Sequence, residues 1–190
     1  MGSGKSTTHI CVSVCFKSLE VRLCGLRFDC CLLIIPGYIL QWLAAKGLLP
    51  LERFVIVDPD AIRTWLPEWH GLVAQNASTA GYRTQREVGS LAEILTTWAL
   101  DNGRSVVIDS SLRDAAWHAE YFTALRRLYP RVRLAILHVT ASYPTLRARV
   151  TRRAVKEGRM VPDAVLQDAW DRIPAAVTAL TPYCFSLATL

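Results

Sequence analysis

The chain begins with residue types that bind phosphate groups. Its first seven residues, MGSGKST, match the end of the pattern Gly-x-x-x-x-Gly-Lys-Ser/Thr. In such a loop, backbone N–H groups surround phosphate oxygens, the lysine reaches the β and γ phosphates, and the hydroxyl after it binds Mg²⁺. The pattern predicts a site for ATP and Mg²⁺ formed by Gly2, Ser3, Gly4, Lys5, Ser6 and Thr7.

The first glycine of this pattern has no counterpart, because it would lie before Met1. The β-strand that normally leads into such a loop would lie there as well. We therefore expect a sheet that lacks the strand before the phosphate loop. A Gly-Ser-rich start is also typical of expression tags, so motifs further along the chain must decide whether Lys5 and Ser6 belong to a nucleotide site.

Two carboxylates lie at the end of an apolar run further along. Phe54–Asp58 (FVIVD) reads as a strand, and Asp60 follows it by two residues. In an open parallel sheet, ligands bind beyond the carboxyl ends of the strands. Asp60 is a candidate base for a substrate hydroxyl, and Asp58 could orient it or a metal-bound water. The alternative is a turn and helix cap. Arg63, which ends this motif, is assigned to substrate binding.

A second strand ends in the same way. Ser105–Asp109 (SVVID) is a buried-type run, and its last residue is a carboxylate that we expect near Mg²⁺. Ser111 and Arg113 follow and are candidates for contacts with phosphate or substrate. The alternative for these two residues is a helix cap followed by a solvated arginine.

An arginine-rich segment lies closer to the carboxyl terminus. Phosphoryl transfer spreads negative charge over the transferring group, and arginine side chains neutralise such charge. At helical spacing only some of these arginines can face one site. Arg147 or Arg149, together with Arg159 in a Gly-Arg turn, are the candidates among Arg147, Arg149, Arg152, Arg153 and Arg159.

From Phe54 onward, strands and helices alternate. A third strand is predicted at 133–139, and helices at 84–101, 111–129, 143–157 and 163–180. Apolar strands separated by helices predict an α/β fold, with a parallel sheet covered by helices on both faces. Gly71–Gly81, a run of small and polar residues, is expected to form a connecting loop.

Composition excludes several classes of protein. The 190 residues are 52% hydrophobic with a net charge of +6, which suits one folded domain and not a disordered chain. No apolar run is long enough for a membrane span, and we expect a cytoplasmic protein. Five of the six cysteines lie between Cys11 and Cys31, in a pattern that fits neither a disulfide framework nor a zinc site.

The motifs together resemble a known family. VIVDPDAIRTWLPEW, a Thr-Gln-Arg-Glu helix, NGRSVVIDSSLRD and KEGRMVP follow one another as they do in zeta-toxin-type kinases, P-loop kinases related to chloramphenicol phosphotransferase. The resemblance covers Ile39 to about Gln167, plus Gly2–Thr7. It implies a three-layer P-loop kinase fold and transfer of a phosphoryl group from Mg·ATP to a hydroxyl. The family's bacterial toxins use UDP-N-acetylglucosamine as acceptor.

The resemblance also implies roles for single residues. Lys5 and Ser6 would hold the ATP phosphates and Mg²⁺, Asp60 would be the general base, and Arg159 would be a lid arginine on phosphate. Ser111 and Arg113 match the family's residues after the second acidic strand. The family's substrate-side carboxylate has no clear counterpart, and Gln85 and Glu87 are the nearest candidates in the sequence.

One segment departs from the family pattern. Without residues 8–38, the loop would run directly into Ile39–Gly47, which has helical spacing and a glycine stop. We therefore interpret 1–190 as one kinase domain with an insertion, or translated non-coding sequence, at 8–38. The alternative is a genuine extra hairpin, because CVSVCF and CCLLII both have strand-like composition.

The sequence is also compatible with three other interpretations. One is a degenerate, non-catalytic remnant that keeps some nucleotide binding. Another is a polynucleotide 5′-hydroxyl kinase, which uses similar groups. A basic nucleic-acid-binding module ranks last, because the sequence shows no aromatic and basic stacking platform. The oligomeric state is not predicted.

Overall fold

The computed structural model describes residues 8–16, 36–157, 161–184 and 186–189. The predicted phosphate-loop residues Gly2–Thr7 and the predicted lid residue Arg159 lie outside these ranges. Roles predicted for Gly2, Ser3, Gly4, Lys5, Ser6, Thr7 and Arg159 therefore stay predictions.

The described part of the chain forms five strands and seven α-helices. The strands are β1 (Thr8–Phe16), β2 (Phe54–Val57), β3 (Ser105–Asp109), β4 (Arg133–Ala141) and β5 (Ser186–Thr189). The helices are α1 (Pro36–Ala45), α2 (Pro59–Arg63), α3 (Trp69–Arg83), α4 (Gln85–Asp101), α5 (Ala115–Leu128), α6 (Tyr143–Glu157) and α7 (Asp163–Leu180). The alternation of strands and helices predicted from Phe54 onward is confirmed.

The loop predicted at Gly71–Gly81 is wrong, because this segment lies inside α3. The helix is interrupted at Asn76, whose φ of −161° and ψ of 98° are not helical. The side-chain oxygen of Asn76 accepts hydrogen bonds from the backbone N–H and the hydroxyl of Ser78. This local bond restarts the helix after the kink, as a capping residue does.

The sheet has the strand order β2-β3-β1-β4-β5. β2 pairs with β3 in parallel, and β4 pairs with β5 in parallel. β1 lies in the middle and is antiparallel to both of its neighbours, β3 and β4. The predicted α/β fold class is confirmed, with a sheet that is mixed at its central strand.

β1 comes from the segment that we interpreted as an insertion. Val12 pairs with Asp109 on one side, and Thr8 pairs with Ala141 on the other. Residues 8–16 therefore supply backbone partners that β3 and β4 would otherwise lack. The strand composition that suggested an extra hairpin is realised here as one strand of the main sheet.

Helices cover both faces of the sheet, because side chains of β3 and β4 alternate between two apolar cores. One core contains Val106, Ile108, Leu134 and Ile136, packed with residues of α4, α5 and α7. The other contains Val107, Ala135, Leu137 and Val139, packed with Leu40 and Leu43 of α1. The result is a three-layer domain with helices on both faces of the sheet.

A proline in the middle of β1 tests whether this strand is hydrogen-bonded on both sides in the centre of the sheet. Ser13 pairs with Ile108 and with Ile136, and proline there removes a ladder hydrogen bond inside the sheet. We expect Ser13→Pro to lower the free energy of unfolding by about 3 kcal/mol or more, measured by urea unfolding.

Ser186→Pro is the matched control, because Ser186 is the first residue of edge strand β5 and proline is tolerated at such positions. Equal effects of the two substitutions would contradict a central β1.

Candidate active site

Asp58 caps a helix. Its side chain accepts hydrogen bonds from the backbone N–H groups of Asp60, at 2.8 Å, and of Ala61, at 3.2 Å. Pro59 occupies the first position of α2, where its missing N–H is not needed. The cap interpretation of Asp58 is therefore confirmed, and the cap fixes the first turn of the helix that carries Asp60.

Asp60 lies between two arginines. One carboxylate oxygen is 3.9 Å from Nε of Arg63, and the other is 3.9 Å from a guanidinium nitrogen of Arg153 on α6. The Asp60 side chain is 40% exposed. It is therefore held in position by charge while one side stays open to a ligand, as a proton acceptor requires.

Asp109 ends β3, the strand beside β2. Burial first, and then the negative charges of Asp58 and Asp60, raise its pKa from 3.8 to about 7, while the charge of Arg153 acts in the opposite direction. The three carboxylates predicted from the strand ends thus lie near one another. Their excess negative charge favours a bound cation at this edge.

Within the described ranges, no group of three or more His, Cys, Asp or Glu side chains is arranged to hold a metal ion. The predicted Mg²⁺ site needs fewer protein ligands than that. It uses Asp109 and the hydroxyl of Ser6, and Mg²⁺ commonly takes its remaining oxygens from substrate phosphates and water. The raised pKa of Asp109 fits such a site.

The arginine-rich helix α6 contributes one arginine to the carboxylates. Arg153, whose side chain is 31% exposed, reaches Asp60. Arg147, the predicted candidate, instead donates to Asp163 at the start of α7 over 2.9 Å, and both side chains are well exposed. Burial and the neighbouring Arg152 lower the pKa of Arg149. The arginine-rich helix was thus predicted from the sequence, but Arg153 was not singled out on it as the residue that pairs with Asp60.

A cleft of about 460 Å³ lies beside the carboxylates, between α4 and the segment that joins β3 to α5. Ser111 and Arg113, both predicted to bind substrate, line it. Arg113 also lies 4.0 Å from Asp168 of α7. The polar and aromatic lining consists of Gln85, Arg86, Ser90, Glu93, Thr96, Ser110, Ser111, Arg113, Asp114, Trp117, His118, Tyr121 and Phe122.

Glu93 is a cleft residue that sequence reasoning missed. Gln85, Gly89 and Glu93 recur at intervals of four on α4, so they share one helix face that points at the cleft. Glu87 lies on another face, where a hydrogen bond with Glu68 and the charge of Glu68 raise its pKa. In the sequence, the spacing of Gln85 and Glu93 on a face beside the apolar face of α4 was the signal that could have indicated a role for Glu93.

Ser110 and His118 form a second pair that sequence reasoning missed. His118 Nδ1 lies 2.7 Å from the backbone carbonyl oxygen of Asp114, so it carries the proton and donates. His118 Nε2 therefore accepts from the Ser110 hydroxyl at 3.0 Å. Burial lowers the pKa of His118, which favours the neutral ring. The pair fixes the start of the segment that carries Ser111 and Arg113.

The raised pKa of Asp109 makes stability depend on pH. The native state keeps this proton up to about pH 7, whereas an ordinary aspartate loses it near 3.8. Stability from this group is thus fully present below pH 4 and is lost as pH rises through 7. The full effect is at most about 4 kcal/mol. In metal-free buffer, Asp109→Asn should stabilise the protein at pH 8 and flatten this dependence, measured by urea unfolding.

Asp114→Asn is the control, because Asp114 is an exposed helix cap and asparagine caps equally well. If both variants followed the wild-type profile, the charge strain at Asp109 would be absent.

Comparison with known proteins agrees with this geometry. The family model described as zeta toxin matches residues 37–187, a range that includes Asp60, Asp109 and the whole cleft but not Gly2–Thr7. No curated protein and no solved structure matches the chain. None of the helices in the described part of the chain is long and apolar enough to cross a membrane. With most of its length matched by that model, the chain belongs to the zeta toxin family, whose members are P-loop, nucleotide-binding, kinase-like proteins.

Proposed function

We propose that this protein is a kinase that transfers the γ-phosphoryl group of Mg·ATP to a hydroxyl of a small molecule. The observation that carries the proposal is the meeting of Asp60, Asp109 and Arg153 at the carboxyl edge of the sheet, beside a polar cleft. A proton acceptor, a cation-binding carboxylate and a positive charge are the groups that phosphoryl transfer needs.

The ATP side of the proposed site uses the phosphate loop. Gly2–Thr7 lie outside the described residues, and Thr8, which follows them directly in sequence, lies at the same carboxyl edge. Lys5 would contact the β and γ phosphates, and Ser6 and Asp109 would hold Mg²⁺. When bound, Mg²⁺ would neutralise charge on the phosphate oxygens.

Asp60 is the proposed base. It would accept the proton of the acceptor hydroxyl as that oxygen attacks phosphorus, and Asp58 keeps it in place by capping α2. Arg153 is the proposed arginine for the transferring phosphoryl group, because it is the α6 arginine in contact with Asp60. Arg147 is a weaker candidate, since Asp163 already engages its guanidinium.

The acceptor would bind in the cleft between α4 and α5. Arg113 and Ser111 suit an anionic group such as a phosphate, while Gln85 and Glu93 suit sugar hydroxyls and amides. A nucleotide sugar such as a UDP-sugar presents all of these groups. The volume of about 460 Å³ lies within the range of small-molecule sites.

A second candidate is a non-catalytic remnant that keeps the acceptor cleft. The observation in its favour is the range of the family match, which begins at residue 37 and leaves out the phosphate loop. The remnant would bind an acceptor without transferring phosphate. Because such a remnant keeps some nucleotide binding, the measurement that separates it from the kinase is transfer of phosphate from labelled ATP to an acceptor.

The kinase proposal predicts separate effects for two substitutions. We expect Lys5→Ala to abolish Mg·ATP binding in isothermal titration calorimetry. Asp60→Asn should keep that binding and lower kcat about 10²- to 10⁴-fold, because the base is lost. Transfer from radiolabelled ATP would be followed on UDP-N-acetylglucosamine, chloramphenicol and a 5′-hydroxyl oligonucleotide. Full activity of Asp60→Asn would refute Asp60 as the base.

Glu93 provides a test of the acceptor side. We expect Glu93→Gln to raise the KM for the acceptor about tenfold or more, because a charge-assisted hydrogen bond contributes about 1.5–3 kcal/mol, and to leave the KM for ATP unchanged. Glu120→Gln is the matched control, since Glu120 is exposed on α5 and does not line the cleft. A similar change in both variants would exclude Glu93 from acceptor binding.

A further inference from the structure

Arg63 is a buried arginine at the end of α2, with only 2% of its surface exposed. A buried guanidinium is retained only where hydrogen bonds and charge compensate for the loss of water. Its contacts therefore show what the residue holds together. They lie in two directions, toward Asp60 on its own helix and toward the junction of α3 and α4.

The contacts at the junction use the planar fork of the guanidinium. One terminal nitrogen donates to the carbonyl oxygen of Gly81 at 2.6 Å and to the hydroxyl of Thr84. The other donates to the side-chain oxygen of Gln85 at 3.0 Å. Thr84 is itself 2% exposed. Three acceptors therefore hold the guanidinium of Arg63 at the junction of α3 and α4.

The remaining contacts complete the enclosure of Arg63. Its guanidinium carbon lies 5.7 Å from the centre of the Trp69 ring, a cation–π distance. Its Nε lies 3.9 Å from Asp60. Arg63 was predicted to bind substrate, but its side chain faces protein groups in every contact described, and it does not line the cleft.

We propose that Arg63 is a positioning residue that fixes the distance between the base Asp60 and the α4 wall of the acceptor cleft. The inference rests on the proposed kinase function. Gln85 lines the cleft, and Asp60 follows Pro59, another lining residue, directly in sequence. Arg63 contacts both Gln85 and Asp60, so one rigid side chain links the proton acceptor to the surface that holds the acceptor molecule.

This linkage predicts an effect on turnover more than on binding. A misplacement of about 1 Å between reacting groups can lower a rate about 100-fold, while ground-state contacts with ATP stay intact. Lysine keeps the positive charge of Arg63 but cannot contact three acceptors through one planar group. Arg63→Lys therefore separates the charge from the geometry.

The test compares Arg63→Lys, Thr84→Val and the control Arg83→Lys in the full chain. Arg83 lies two residues from Gly81, is exposed, and donates to Gln75. Kinetics would use the acceptor that the wild type phosphorylates fastest among UDP-N-acetylglucosamine, chloramphenicol and a 5′-hydroxyl oligonucleotide. Assays would be run where circular dichroism shows each variant fully folded.

We expect Arg63→Lys to lower kcat about 10- to 100-fold, with the KM for ATP within about twofold of wild type, and Arg83→Lys to match wild type. Thr84→Val, which removes one acceptor from the fork and keeps the side-chain shape, should lower kcat by a smaller factor with the same KM for ATP. Thr84→Val still tests the positioning role of Arg63 if Arg63→Lys fails to fold.

Three outcomes would overturn the inference. If kcat is unchanged in a folded Arg63→Lys or Thr84→Val, Arg63 does not position the base. If the KM for ATP rises as much as kcat falls, Arg63 acts on donor binding instead. If the wild type transfers phosphate to no acceptor of the panel, the kinase proposal fails and this inference falls with it, a result distinct from the other two.

Discussion

Three carboxylates placed at the ends of two neighbouring strands set the main constraint on this protein. Asp58 and Asp60 repel a negative charge on Asp109, and burial together with this repulsion raises the pKa of Asp109 to about 7. A cluster of like charges in which one group has a strongly raised pKa is an arrangement typical of functional sites. Its persistence requires opposite charge nearby, which the structure supplies from two separate helices.

Arg63 and Arg153, which both pair with Asp60, differ in how firmly they are held. Arg63 is buried and tied to the α3–α4 junction, so it cannot move without breaking three hydrogen bonds. Arg153 is partly exposed on α6 and makes a looser contact of 3.9 Å. Arg63 is thus part of the framework, whereas Arg153 is held less tightly, as its proposed role at the transferring phosphoryl group requires. A cation at Asp109 would favour that exchange by taking over the compensation of negative charge.

The sequence revealed the carboxylates because their signal is local. An apolar run that ends in aspartate marks a strand end wherever the strand lies in the sheet, so Asp60 and Asp109 could be found without a fold. For Glu93, the polar stripe of α4 indicated a helix face but not that this face lines a cleft opposite α5. The Ser110–His118 pair depends on the turn between β3 and α5, which brings side chains eight positions apart into contact. The burial of Arg63 is also tertiary, because it arises from α3 and α4 closing over α2. The kinked helix α3 was missed because its small polar residues favour loops.

The direction of the central strand β1 bears on how the phosphate loop could bind ATP. A phosphate loop usually follows a strand and leaves the carboxyl edge, whereas here the chain enters β1 at that edge, since Thr8 pairs with Ala141 at the end of β4. β1 completes the ladders of β3 and β4 and runs antiparallel to both strands. Residues 37–187, which match the family, contain Asp60, Asp109 and the cleft between α4 and α5, to which the proposal assigns the base, a Mg²⁺ ligand and acceptor binding. The family's chemistry is therefore anchored in the acceptor half of the domain, and that half can persist whether or not the loop binds ATP.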